Sequence, residues 1–200
     1  MRKVIVSEFL TLDGVMQAPG GSDEDRRGGF EHGGWQMPYF DEVAGNAVSE
    51  GMGASGGFLL GRRTYEIFAA YWPSAPADNP FAATINSLPK FVASTTLQEP
   101  LEWNNSTLLK GDVAEEVAKL KEQPGKDLQV IGSGDLVQTL MQHNLVDEYG
   151  LMIHPVVLGT GEHLFKEGIP RTPLRLVDSK TTSTGVLILT YRPEGKEAEG

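Results

Sequence analysis

The chain has 200 residues, 40% of them hydrophobic and 22% charged, with a formal net charge of −10 at pH 7, values that fit one globular domain with a substantial core. The acidic balance disfavours a nucleic-acid or anionic-membrane surface, which needs a basic face. The absence of cysteine excludes disulfides, thiolate catalysis, iron–sulfur clusters and cysteine zinc sites.

Residues 3–9 are rich in β-branched side chains and predict a first strand. Residues 14–37 differ in kind. They carry seven glycines between Gly14 and Gly34, mixed charges and Trp35, and predict a flexible surface insert or a lid. Residues 38–52 predict a helix with Phe40, Val43 and Ala47 on one face, ended by residues 53–57. Phe58-Leu59-Leu60 is a short strand that meets Gly61-Arg62-Arg63-Thr64, and helical spacing follows through Tyr65, Phe68 and Trp72 until Pro73 stops it. Asn79-Pro80 predicts a cap with proline at the first helical position, opening a helix to about Leu88.

Residues 90–93 are a strand ending at Ser94-Thr95-Thr96, and residues 107–109 a weaker one. Asp112 caps a helix carrying Val113, Val117 and Leu120. Residues 128–131 form a strand that breaks at Gly132-Ser133-Gly134 and passes into a helix, with Leu136 and Leu140 one turn apart. Residues 148–158 predict a long strand. Residues 174–179 and 186–191 predict a closing pair around Ser183-Thr184-Gly185, and residues 193–200 a frayed tail. Strands alternating with helices indicate one α/β domain over residues 1–192, with a mostly parallel central sheet and antiparallel strands at its C-terminal edge. No apolar run approaches the roughly 18 residues of a membrane span. The run after Met1 is too short for a signal peptide, so a cytoplasmic protein is expected.

Three turns follow apolar strands, so each lies at a strand's carboxyl end, where open α/β sheets bind ligands. Gly61-Arg62-Arg63-Thr64 places cations and a hydroxyl at a helix start, and an arginine fork suits a phosphate monoester. Ser94-Thr95 adds hydroxyls. The run from Ile131 through Gly132, Ser133, Gly134 and Asp135 to Leu136 adds the free amides and positive dipole end of a helix N-terminus. Taken singly, each also fits ordinary structure: a tight strand–helix turn, an Arg62–Glu66 pair, a polar loop. Their spacing along successive units is what suggests a dinucleotide. An NAD site would place an acid about 20 residues beyond its glycines; Asp147 and Glu148 come too early, which favours NADP. Asp13, beside Gly14 at the end of the first strand, is a candidate catalytic acid, or else a turn-forming Asp-Gly. No two histidines have metal-ligand spacing, so no metal site is expected.

These motifs resemble the dihydrofolate reductase superfamily, and within it the reductase domain of the bacterial riboflavin-biosynthesis deaminase-reductase. Thr11-Leu12-Asp13-Gly14 resembles that family's Ser-Leu-Asp-Gly. Gly61-Arg62-Arg63-Thr64 resembles the Gly-Arg-x-Thr turn of dihydrofolate reductases, Ser94-Thr95 their Ser-Ser pair near the adenosine 2′-phosphate, and Ile131-Gly132-Ser133-Gly134 their Ile-Gly-Gly-Gly. Residues 145–148 followed by residues 154–161, His-Pro-Val-Val-Leu-Gly-Thr-Gly, are similar to the riboflavin-type C-terminal signature.

The resemblance implies a three-layer dihydrofolate-reductase-like fold and NADPH as cofactor. It implies reduction of a small heterocycle such as 5-amino-6-(5-phosphoribosylamino)uracil, and a homodimer. It also implies a carboxylate on the substrate-facing helix, for which Asp41 or Glu42 qualifies. The chain departs from the pattern in two places: Ile131 stands where riboflavin reductases carry Glu, and Val15 where they carry a basic residue. The alternatives are a dihydrofolate reductase proper, or an NADP-binding module without turnover.

Overall fold

The computed structural model describes residues 1–76 and 78–195. An eight-stranded sheet forms its middle layer. In chain order the elements are β1 (Val4–Thr11), α1 (Glu42–Ala54), β2 (Gly57–Gly61), α2 (Arg62–Tyr71), α3 (Ala82–Ser87), β3 (Lys90–Ala93) and β4 (Ser106–Leu109). They continue with α4 (Val113–Glu122), β5 (Leu128–Ile131), α5 (Gly134–Gln142), β6 (Glu148–His154), β7 (Leu174–Thr181) and β8 (Leu187–Pro193).

The strand order is β4-β3-β2-β5-β1-β6-β8-β7. The first six strands run parallel; β8 is antiparallel to β6, and β7 to β8. Because parallel crossovers are right-handed, a chain that steps one way along the sheet and then returns covers both faces. The two steps leave two cores. Val4, Val6, Leu10, Leu59, Leu128 and Val130 pack with Val117 and Leu120 of α4 and with Leu136, Val137, Leu140 and Met141 of α5. Phe58, Leu60 and Val92 turn to the opposite face and pack with Tyr65 of α2, Ile85 of α3 and Trp103. Strand alternation divides neighbours such as Leu59 and Leu60 between the two.

Several boundaries differ from those the sequence predicts, each for a local reason. Residues 38–41 do not join the first helix, because Asp41 caps it: its Oδ1 accepts from Ala44 N at 2.9 Å. Pro80 does not open a helix. The Asn79 side chain instead accepts from Phe81 N at 3.0 Å, which closes a turn, and α3 starts at Ala82. The sixth strand stops at His154, because Pro155 has no N–H for the ladder. The eighth reaches Pro193, and Glu194 N donates to Pro173 O at 2.9 Å. Residues 196–200 of the expected tail lie outside those described.

The glycine-rich stretch is neither a loose loop nor an open flap. Val15, Ala18, Phe30 and Trp35 are buried in a third, smaller core against Phe9, Val156 and Leu158, at the end of the sheet. Gly33 is required there, since a Cβ would come within 2.5 Å of Gly21 O and 2.6 Å of Ser22 O. The segment is a strap fastened across the rim where the parallel strands end.

Candidate functional site

That rim gathers the three predicted turns. Gly61 is in register with Ala93, so Ser94 and Thr95 leave the sheet beside Arg62 and Arg63. The Gly132 turn follows β5, the other neighbour of β2. The contact between the turns is direct: Gly61 N donates to Ser133 Oγ at 2.8 Å, and that hydroxyl donates to Thr64 Oγ1 at 2.9 Å. Ser133 holds a left-handed backbone (φ 64°) and Gly132 another (φ 59°). A Cβ on Gly132 would lie 2.8 Å from Thr64 Oγ1, so only glycine lets the turns meet this closely.

The helix starts at this junction lack side-chain caps. Asp41 caps α1 and Asp112 caps α4, but neither α2 nor α5 receives a side-chain hydrogen bond at its N-cap. Two bare helix N-termini therefore converge at one point of the rim, where their amides and dipole ends favour an anion. Beside α2 and the loop after β3 lies a cavity of about 370 Å³, lined in part by Tyr65, Ala69, Leu97, Pro100 and Leu101.

Not every predicted residue is available to a ligand. Arg62 is paired with Glu66 at 3.1 Å, the ordinary reading of that spacing. Arg63 Nη2 lies 3.1 Å from Asp25 of the strap. Ser94 Oγ accepts from Thr96 N and Leu97 N at 3.1 and 3.0 Å, which shapes its turn, while Thr95 is exposed. The side chain of Leu136 is buried in the core, so only its amide faces the helix start. Ile131 packs partly against the second core, and exposed Asp135 pairs with Lys166 at 2.7 Å.

Both candidate acids turn out to be anchors. Asp13 accepts from Thr11 Oγ1 at 2.6 Å and from Gly159 N at 2.8 Å, fixing the loop after β6. The Thr11 bond, helped by the Gly159 and Leu158 amides, holds its carboxyl below the usual range. Asp41 caps α1 and also accepts from Ser183 N and Oγ at 3.0 and 2.7 Å, which ties down the β7–β8 hairpin. The Ala44 amide and then Ser183 lower its pKa. Both carboxylates have lowered pKa values and oxygens engaged by neighbouring loops, an arrangement that suits positioning better than proton donation.

The rim holds two further ionisable groups. Buried His154 places Nδ1 3.1 Å from Leu10 O and 3.0 Å from Met152 O. Facing two carbonyls, Nδ1 carries the proton and Nε2 the lone pair of the neutral ring. Burial lowers its pKa and keeps it neutral. Phe9, Trp35 and Tyr39 meet its ring edge-on. Glu8, 7% exposed, falls in the same strand row as Val6 and Leu10, with Oε1 lacking any partner. Burial raises its pKa well above the usual range, and the Gly132 amide only partly opposes this. Glu8 thus lies under the glycine turn with its charged form disfavoured by burial. Val15 is fully buried in the strap core, which leaves no room for the basic residue that riboflavin reductases carry.

Residues 2–188 match the RibD C-terminal domain family. The uncharacterized protein YyaP of Bacillus subtilis (strain 168) is 30% identical over 197 residues, covering 97% of this chain and 96% of the relative. The uncharacterized protein YwjB of the same organism is 25% identical over 179 residues, 90% and 91% of the two chains. Among solved structures, a Shewanella sp. PV-4 protein whose name links it to riboflavin biosynthesis superposes with a TM-score of 0.71 at 24% identity. It covers 96% of this chain and 99% of its own. A pyrimidine reductase-like protein of Corynebacterium diphtheriae gives 0.63 at 12% identity, covering 98% and 93%.

Proposed function

The chain belongs to the RibD C-terminal domain family, and from that premise we propose that it is a cytoplasmic NADPH-dependent reductase of a small heterocyclic substrate. The observation that carries this reading is the meeting of two uncapped helix N-termini, α2 and α5, through Ser133 at the carboxyl rim of a parallel sheet. One helix start can bind one phosphate; two joined starts suit a diphosphate. The adenosine end would rest on Ser94, Thr95 and the 370 Å³ cavity beside α2, and the diphosphate on the amides of Ser133, Gly134 and Asp135.

Reduced nicotinamide supplies the hydride. The residues of this chain orient the reactants and exclude water. Thr11 and Asp13 shape the end of β1, and the strap roofs it with Trp35 and Tyr39 over His154. Because Asp13 and Asp41 are engaged, the proton comes from solvent or from the substrate itself. Buried Val15 and apolar Ile131 argue for a substrate other than the ribosylaminopyrimidine of riboflavin synthesis. The engaged acids also favour one rival, a module that binds NADP without turnover.

We place a homodimer contact on the β7–β8 hairpin at the sheet edge, where Leu176 and Val177 of β7 and Leu187 of β8 are exposed. A monomer in light scattering would remove it.

A ligand that binds only the folded state raises its melting temperature by mass action. NADP is expected to raise it more than NAD does. Arg63→Ala should lower both shifts, and Arg62→Ala should leave them nearly unchanged, since Arg62 already serves Glu66. Equal shifts with the two coenzymes would refute the preference for NADP, and no shift with either would refute the cofactor assignment. NADPH oxidation against a panel of carbonyl and imine heterocycles, dihydrofolate included, separates turnover from binding alone.

A further inference from the structure

The strap carries a pair of charges that the reading above does not use. Asp25, only 7% exposed, receives Arg27 from within the strap and Arg63 from the first turn of α2. Arg27 binds in fork geometry, with Nε 3.1 and 3.0 Å from the two carboxylate oxygens and Nη2 2.8 Å from Oδ2. Arg63 Nη2 adds a bond of 3.1 Å to Oδ1. Burial alone would raise the Asp25 pKa, but the Arg27 bonds and charge, with the Arg63 bond, overcome this and hold the carboxyl below its usual range.

The turn around Asp25 is held on both sides. Gln17 Nε2 donates to Asp25 O and Arg27 O at 3.2 and 3.1 Å, and Gln17 Oε1 accepts from Glu162 N at 3.0 Å. Arg27 also feels the charges of Glu162 and of Asp135 in the first turn of α5. The trio therefore ties the strap to the first turn of α2, within electrostatic reach of Asp135 at the start of α5. Lys166 already answers those two acids, 2.7 Å from Asp135 and 3.1 Å from Glu162.

Two guanidinium groups would repel each other at this separation without the carboxylate between them. Asp25 uses only part of their donor set, since each guanidinium has five N–H groups. Both arginines remain about half exposed, 51% for Arg27 and 44% for Arg63. The remaining donors belong to side chains about half exposed to solvent, in a trio with a net charge of one positive unit beside the first turn of α2. An isolated strap–helix staple would need only one of these arginines.

We propose that Arg27 and Arg63, templated by Asp25, clamp the diphosphate of the dinucleotide, which makes the strap part of the cofactor site. This rests on the reductase reading above. Arg27 and Asp25 act from a segment 34 or more residues before the α2 turn, and the strap closes on the coenzyme by charge as well as by packing.

Titration calorimetry with NADP and with inorganic diphosphate tests the clamp. Arg27→Ala and Arg63→Ala are each expected to weaken both ligands about tenfold or more, as the loss of a charge-assisted fork should. Asp25→Asn should weaken them too, because the arginines splay. Arg27→Lys, which keeps the charge and loses the fork, should fall between wild type and Arg27→Ala. Unchanged tryptophan emission in each variant shows that buried Trp35 and the strap remain in place. Wild-type affinity in Arg27→Ala, or tighter binding in Asp25→Asn, overturns the clamp while leaving the cofactor reading standing. Failure of the wild-type protein to bind NADP at all sinks the cofactor reading, and the clamp with it.

Discussion

Trp35→Ala is expected to lower the free energy of unfolding by about 3–5 kcal/mol, the range for deleting a large buried aromatic. The indole is the largest member of the strap core, buried with Val15, Ala18 and Phe30. Its Nε1 donates to Gln17 O at 2.7 Å, and its ring meets His154 edge-on with centroids 5.1 Å apart. Truncation removes the packing and orphans a buried carbonyl of the residue that holds the Asp25 turn. Urea unfolding measures the loss, and limited proteolysis locates it, because cuts should appear first within residues 14–37. Trp35→Phe keeps most of the packing and loses the hydrogen bond, so it should cost about 1 kcal/mol. A change below about 1 kcal/mol in Trp35→Ala would show that the strap adds nothing to stability and is held by other means.

The second large effect lies at the opposite end of the sheet and is a matter of pH. Lys90 opens β3 with no exposed surface. Its ammonium donates to Asn86 O and Asn104 O at 2.8 and 3.2 Å and sits 4.1 Å from the Trp103 ring centroid. Burial lowers its pKa from 10.5 to about 8. Between those two values the unfolded chain holds a proton that the folded chain has released, so raising the pH favours the folded state.

Relative to Lys90→Met, the wild-type protein should therefore gain on the order of 3 kcal/mol as the pH rises from about 8 to about 10.5. Comparing the two proteins at each pH cancels the other titrations. Glu8 works in the opposite sense: its raised pKa means that stability is lost as the pH climbs from the usual carboxylate range toward its folded value. Tyr149, pushed up to about 12 by burial, likewise costs stability above its usual value of 10. A pH-independent difference between wild type and Lys90→Met would mean that Lys90 stays charged in the fold.

The regular elements were legible because their causes are local. The β3 strand spans the residues its β-favouring run predicts, and Asp112 caps α4 by accepting from Glu115 N at 3.0 Å, as an aspartate before an amphipathic run should. The rim turns at Gly61 and Gly132 were legible for the same reason, since an apolar strand that breaks at glycine before a helix leaves bare amides whatever surrounds it. Arg62 and Arg63 look alike in the sequence. The structure separates them: Arg62 turns along its own helix to Glu66, while Arg63 reaches a residue 38 positions earlier. Asp13 and Asp41 read as acids beside a cleft, but their partners, Gly159 and Ser183, come from remote loops that no local pattern announces.

Composition, alternation and turn chemistry by themselves determined an α/β domain, its strand sequence and the rim where a ligand would sit, because each depends on residues within a few positions of one another. Tertiary structure decided which charges are spent and which remain. The strap's glycines suggested looseness, yet Val15, Phe30 and Trp35 bury it against the end of the sheet, since apolar side chains spaced irregularly along a loop find their common core only after the strands beneath are assembled. An ionisable group's role is set by whatever packs around it, and for Asp25, Glu8, Lys90 and His154 much of that surrounding comes from distant parts of the chain.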